Sequence, residues 1–211
     1  MRTPRVLLIT DPRFADEVVL RAIDAAGRAL PSGDFAVQLR DKARPDRAGW
    51  ASQLREVTLA LGVPLIVNGD VALARAVRAD GVHFGGAATD DEVASGERLW
   101  RSVAAHADDD VARACARGVD AVLVSPIFAS PGKGEPRGVA ALRSAADIAR
   151  ARLAVLALGG VGEREVDACR DAGADGIAVI RALLDAPDGA VVAAQMGRAW
   201  RSSSQHRADS T

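Results

Sequence analysis

Two kinds of hydrophobic pattern alternate along this chain. Residues 6–10, 35–39, 64–67, 81–84, 99–103, 120–124, 153–158 and 176–180 are short, nearly continuous apolar runs. Such runs are expected of strands buried on both faces. Between them, residues 17–30, 46–61, 71–78, 108–117, 139–151 and 163–172 carry apolar positions at helical spacing. In residues 17–30 these are Val18, Val19, Ala22, Ile23, Ala26 and Leu30. A weaker helical turn is expected at 90–95, and a last helix at 181–200, broken near Pro187-Asp188-Gly189. Gly62, Gly118 and Gly173 stop three of the helices. The alternation predicts an α/β fold with a parallel sheet. In a chain of 211 residues, a closed (β/α)8 TIM barrel in a single domain is the economical answer. A doubly wound open sheet is the competitor, but its dinucleotide-binding version is weakened because no G-x-G-x-x-G follows the first strand. The barrel is expected over residues 1–200, with a disordered polar tail at 201–211.

Composition narrows the class. Hydrophobic residues make up 49% of the chain, and 27 Lys and Arg nearly balance 28 Asp and Glu. That balance argues against a nucleic-acid protein held by bulk charge. No apolar stretch is long enough to span a membrane, and the first strand begins without a leader-like segment. Cys115 and Cys169 both fall in helical patterns and read as idle thiols in a reducing cytoplasm. A homodimer is the weak default for oligomeric state.

In a barrel of this kind the active site lies at the C-terminal ends of the strands. The unusual residues collect there. Gln38, Arg40 and Lys42 alternate at the end of the second strand, a period that places all three on one face of an extended chain. An amide, a guanidinium and an ammonium aimed together suit an anion. Asn68 ends the third strand, followed by Gly69 and Asp70. The long Pro-, Gly- and Ser-rich loop after the sixth strand holds Ser130 and Lys133 and reads as a flap, with a solvated surface lysine as the plain alternative. Gly159-Gly160 ends the seventh strand and precedes a helix, and Ile180-Arg181 ends the eighth. Loops after the last two strands form the usual phosphate site of this fold. For His83, a neutral side chain hydrogen-bonded in the barrel wall is the simpler reading, and His106 is similar. The three histidines have no metal-ligand spacing.

An ordered set of segments then carries a resemblance. Leu8-Ile9-Thr10-Asp11, Val37-Gln38-Leu39-Arg40-Asp41-Lys42, Val67-Asn68, Ala79-Asp80-Gly81-Val82-His83, Pro126-Ile127-Phe128, Leu158-Gly159-Gly160 and Ala172-Gly173-Ala174-Asp175-Gly176-Ile177-Ala178-Val179-Ile180 follow the order and spacing of the thiamine phosphate synthase/TenI superfamily. The likeness runs from about Leu8 to about Leu184. It implies a (β/α)8 enzyme of thiamine biosynthesis that joins hydroxymethylpyrimidine pyrophosphate to thiazole phosphate and releases pyrophosphate. Pyrophosphate leaves first, and the thiazole nitrogen captures the pyrimidine-methyl cation. By the same resemblance, Gln38, Arg40, Lys42, Asn68 and Lys133 bind the pyrimidine pyrophosphate. Of these, Arg40, Lys42 and Lys133 assist its departure. Gly159, Gly160, Ile180 and Arg181 hold the thiazole phosphate, and Ser130 stands at a loop position that binds substrate.

The resemblance also implies Mg²⁺, held by two aspartates. Here those positions carry Gly69 and Ala87, which leaves Asp70, Asp90 and Asp91 as candidate ligands. Ala104, Gly132 and Arg181 replace three hydroxyl residues of the family pattern. The TenI branch, a metal-independent thiazole tautomerase, matches Asn68-Gly69 better, but Pro126 stands where its catalytic histidine would be. A non-catalytic binder of thiazole phosphate or thiamine phosphate is the third possibility.

Overall fold

The computed structural model describes residues 1–130, 132 and 134–201. Eight parallel strands close in chain order: β1 (Val6–Ile9), β2 (Phe35–Leu39), β3 (Leu65–Asn68), β4 (Gly81–Phe84), β5 (Trp100–Ala105), β6 (Ala121–Val124), β7 (Ala154–Leu158) and β8 (Gly176–Val179), with β8 pairing back onto β1. This is the expected TIM barrel. Around it run α1 (Asp16–Ala29), α2 (Arg47–Ala60), α3 (Val71–Ala76), α4 (Asp90–Ser95), α5 (Asp108–Ala116), α6 (Gly138–Ala149), α7 (Val166–Asp171), α8 (Arg181–Leu184) and α9 (Gly189–Arg201). No helix among the described residues is long and apolar enough to cross a membrane.

The two faces of each strand go to different cores. Leu7, Ile9, Ala36, Ile66, Trp100, Ala121, Leu123, Leu156 and Ala178 fill the barrel interior. Leu8, Val37, Leu39, Val67, Val82 and their like pack outward against the helices. Because side chains alternate along a strand, Gln38 continues the inward row of Ala36, and Asn68 that of Ile66. His83 and Ser102 face the same way, as the register of β3, β4 and β5 requires. The interior thus turns from apolar to polar toward the C-terminal mouth, where the site lies.

Several boundaries depart from the sequence reading. The fifth strand covers Trp100–Ala105 and not residues 99–103. Leu99 belongs to the preceding turn, donating its N–H to the Gly96 carbonyl, after Arg98 in a left-handed conformation. The chain after Gly159-Gly160 does not enter an α-helix directly. A 3₁₀ turn, Glu163–Glu165, comes first, with Gly162 N–H bonded to the Glu165 carboxylate at 2.9 Å. The break at Pro187 is present, and α9 continues through Arg201, one residue into the expected tail. The remainder of that tail lies outside the described residues. Both cysteines are free, Cys115 half-buried in α5 and Cys169 buried in α7.

Candidate active site

The mouth holds a cavity of about 370 Å³ lined by apolar Ile9, Ala104, Leu123, Leu158 and Ile180 and by the polar Gln38, Arg40, Asn68 and His83. Gln38 is 1% exposed and Asn68 9%. The side-chain oxygens of both, Oε1 and Oδ1, find no hydrogen-bond partner among the described residues. Buried amide oxygens are normally satisfied, so these two are poised for donors from a ligand. His83 is buried beside them, with Nδ1 2.9 Å from Ser102 Oγ. Burial, and next the charge of Lys42, push its pKa down to about 4, so it is neutral, as the sequence reading expected.

On the β7–β8 side a second cavity of about 770 Å³ shares Arg40, Ser130, Leu158, Gly159 and Ile180 with the first and adds Arg13, Gly160, Arg181, Glu165 and Asp185. Both glycines are required here. Gly160 has φ +64°, and a Cβ on it would lie 2.5 Å from the Ala129 carbonyl. A Cβ on Gly159, φ +98°, would lie 2.9 Å from Pro126 Cα. The glycines therefore let the loop after β6 settle against β7, with Phe128 N–H bonded to the Gly159 carbonyl at 2.9 Å.

Arg13 is a site residue that the sequence reading missed. Asp11, 2% exposed at the end of β1, grips it through two bonds: Nε to Oδ1 at 2.9 Å and a terminal nitrogen to Oδ2 at 2.6 Å. Arg40 stands 4.0 Å from the same carboxylate. The Arg13 hydrogen bond, outweighing the cost of burial, holds the Asp11 carboxyl below the usual carboxylate range. One buried aspartate thus sets two guanidinium groups at the cavity. The Asp-x-Arg spacing of Asp11 and Arg13 was the available signal.

Gln38, Arg40 and Lys42 do not share one wall. β2 ends at Leu39, Arg40 N–H bonds to Thr10 Oγ1 at 3.0 Å, and Thr10 Oγ1 in turn donates to buried Asp41 at 3.2 Å. Beyond that anchor Lys42 swings to the β3–β4 side. It lines a third cavity, of about 440 Å³, with Gly69, Asp70, Phe84, Gly85 and Glu92. Lys133 lies outside the described residues.

Two of the three carboxylates proposed for Mg²⁺ are otherwise engaged. Asp70 caps α3, taking the Leu73 N–H at 2.8 Å on Oδ1, and receives Arg47 at 3.1 Å on Oδ2. Arg47 also binds the Asn68 carbonyl at 2.6 Å. Asp90 pairs with Arg117 at 2.6 Å, and Asp91 is exposed in the first turn of α4. Among the described residues no three His, Cys, Asp or Glu side chains gather as a metal site.

The likenesses to known proteins follow this geometry. The family model described as thiamine monophosphate synthase matches residues 6–183. Over 192 residues, the chain is 39% identical to a thiamine-phosphate synthase of Roseiflexus castenholzii, covering 87% of this chain and 82% of that one. It is 36% identical to one of Chloroflexus aurantiacus, covering 97% and 95%. A solved thiamine phosphate pyrophosphorylase from Pyrococcus furiosus superposes with a TM-score of 0.78 at 25% identity, over 93% of this chain and 95% of that chain. By sequence and by fold, the chain belongs to the thiamine monophosphate synthase (TMP-TENI) family.

Proposed function

We propose that this protein makes thiamine phosphate by condensing hydroxymethylpyrimidine pyrophosphate with thiazole phosphate and releasing pyrophosphate. The observation that carries the reading is the layout of the mouth. A largely apolar slot with two unsatisfied amide oxygens lies between two cation-bearing cavities on opposite sides of the barrel. Two phosphorylated rings meeting face to face need that layout: ring in the slot, anion at each end.

Gln38 Oε1 and Asn68 Oδ1 would take donors of the pyrimidine. Lys42 would meet the pyrophosphate from the β3–β4 side, and Arg40, which lines both the slot and the β7–β8 cavity, would reach it from across the slot. Gly159-Gly160, Arg181 and Arg13 would hold the thiazole phosphate, with Ser130 at the shared rim. The bond between the pyrimidine methylene and the pyrophosphate oxygen breaks, and its electron pair leaves with the oxygen. The thiazole nitrogen then gives its lone pair to the methylene carbon, so no proton has to move. The leaving group gains charge in this step, and fixed cations stabilise it there better than mobile water does. The apolar lining keeps water from the cation before capture. Pro126 in the slot, where a tautomerase would place histidine, disfavours that alternative. The two free cysteines suit a reducing cytoplasm.

The test is direct. Purified protein incubated with both substrates is expected to form thiamine phosphate, read by fluorescence after oxidation. Arg40→Ala should lower kcat/KM about 10²–10³-fold with an unchanged melting temperature. No product, with a working synthase run alongside, would remove the synthase reading.

A further inference from the structure

We infer that this chain binds pyrophosphate through Lys42 without the metal ion that its family would place beside it, and that its catalysis does not depend on Mg²⁺. The inference rests on the synthase reading above and concerns the charge chemistry of the same site.

The donor set at this place does not suit a divalent cation, which prefers several carboxylate or carbonyl oxygens at short range. Gly69 and Ala87 offer no side-chain oxygen. Gly69 is left-handed, φ +68°, and a Cβ on it would lie 2.9 Å from Lys42 Nζ and 3.0 Å from Cε. The exposed end of the Lys42 side chain thus lies beside residue 69 and would have to move aside for a carboxylate there. An aspartate there would also bear the strain of the left-handed backbone.

Two carboxylates line the same cavity, and each already has its partners. Asp70 holds the Leu73 N–H and Arg47. Glu92 Oε2 closes the capping box of α4 through the Thr89 N–H at 2.7 Å. Arg47, wedged between the Asn68 carbonyl and Asp70, adds a second positive group where a cation would have to approach. Lys42 itself makes no ion pair among the described residues, and its neighbour His83 stays neutral. An uncompensated ammonium beside two glycine-opened turns is a receptor for an anion, and it repels Mg²⁺.

The experiment has two arms. Thiamine phosphate formation is measured with excess Mg²⁺ and again after exhaustive chelation. Retention within about threefold is expected, since the charge on the leaving group is met by the protein. In parallel, inorganic pyrophosphate is titrated calorimetrically into the protein under both conditions. Its Kd should differ less than about threefold between them, whereas Lys42→Met should weaken it more than about tenfold in both, as loss of one charged partner does. Lys42→Arg should restore part of the binding, and circular dichroism reports whether each variant folds.

Turnover that vanishes on chelation and returns saturably with Mg²⁺ would overturn the inference while leaving the synthase reading standing. So would pyrophosphate binding that requires the metal. If no product forms in either condition, the synthase reading falls. Metal-independent, Lys42-dependent pyrophosphate binding would then still support the anion receptor, and absence of binding would remove both.

Discussion

At the floor of the barrel, three aspartates stand immediately before β4, β6 and β8, and each clamps one residue of the strand before it. The Asp80 carboxylate accepts the Leu65 N–H at 2.9 Å while its own N–H binds the Leu65 carbonyl at 2.8 Å. Asp120 does the same with Arg101, at 2.7 and 2.9 Å, and Asp175 with Val155, at 2.9 and 2.7 Å. At the mouth the arrangement is reversed. Two buried amide oxygens lack partners, guanidinium groups crowd one side, and an ammonium on the other has no counter-ion among the described residues. The floor spends its polar groups on closing the sheet. The mouth keeps them open for a ligand and accepts the lower stability that follows. Side chains of the same chemical types thus serve opposite ends, and what separates them is whether a backbone amide lies within reach.

The largest effect should come from the residue that sits between these regimes. His83 is fully walled in, and its pKa falls from 6.5 to about 4 on folding. The unfolded chain therefore takes up the proton first as pH drops. Stability is expected to decline from pH 6.5 down to about 4 by about 3 kcal/mol and then level off for this group. Asp41 opposes this lower down: burial raises its carboxyl, so its ionisation costs stability as pH climbs above the ordinary 3.8. Denaturant melts across this range check the slope, and His83→Gln should flatten it. A slope unaltered by that substitution would mean that His83 does not couple the mouth's burial to pH.

Next in size is a break at the floor. Asp175→Ala leaves the N–H of Val155, a residue 1% exposed, without its carboxylate acceptor. The loss should be about 1–3 kcal/mol of stability, the cost of an unpaired buried donor, with kcat unchanged. A fall in kcat without a fall in stability would erase the distinction between the two ends.

The clamps and the strands were legible in the sequence to different degrees. Continuous apolar runs such as Val6–Ile9 mark strands buried on both faces, and all eight were found from them. The aspartates before strands were visible as punctuation, in Ala79-Asp80-Gly81 and Ala174-Asp175-Gly176, but not as clamps, because each partner lies 15 to 20 residues away. The fifth strand was misplaced since Ala104 and Ala105 carry little strand signal. At the mouth, Gln38, Arg40, Asn68 and Gly159 were readable as a group. The separation of Lys42 from Arg40 was not, since it depends on Thr10 reaching across 30 residues to fix the Arg40 N–H. Whether a polar group is satisfied is a property of packing, and sequence spacing does not report it.

The smallest effect is the most discriminating at the mouth. Arg13 follows Asp11-Pro12, and its side chain is 71% exposed. It nevertheless lines the cavity at Gly159-Gly160 because Asp11, buried and ionised, holds it in a two-point grip. Arg13→Ala leaves Asp11 with the Arg13 backbone N–H at 3.0 Å and with Arg40, so the strand end should remain folded. The KM for thiazole phosphate is expected to rise about tenfold, while kcat changes little. Arg13→Lys should recover only part, because an ammonium cannot span both Asp11 oxygens and a phosphate as a planar fork does. The defect should also shrink at high salt, where an exposed charge contributes less even in the parent enzyme. Steady-state kinetics in each substrate separates the outcomes. A raised KM for the pyrimidine substrate would move Arg13 to the pyrophosphate end. An unchanged KM for both, with a lower melting temperature, would make the Asp11–Arg13 pair a clamp like those at the floor.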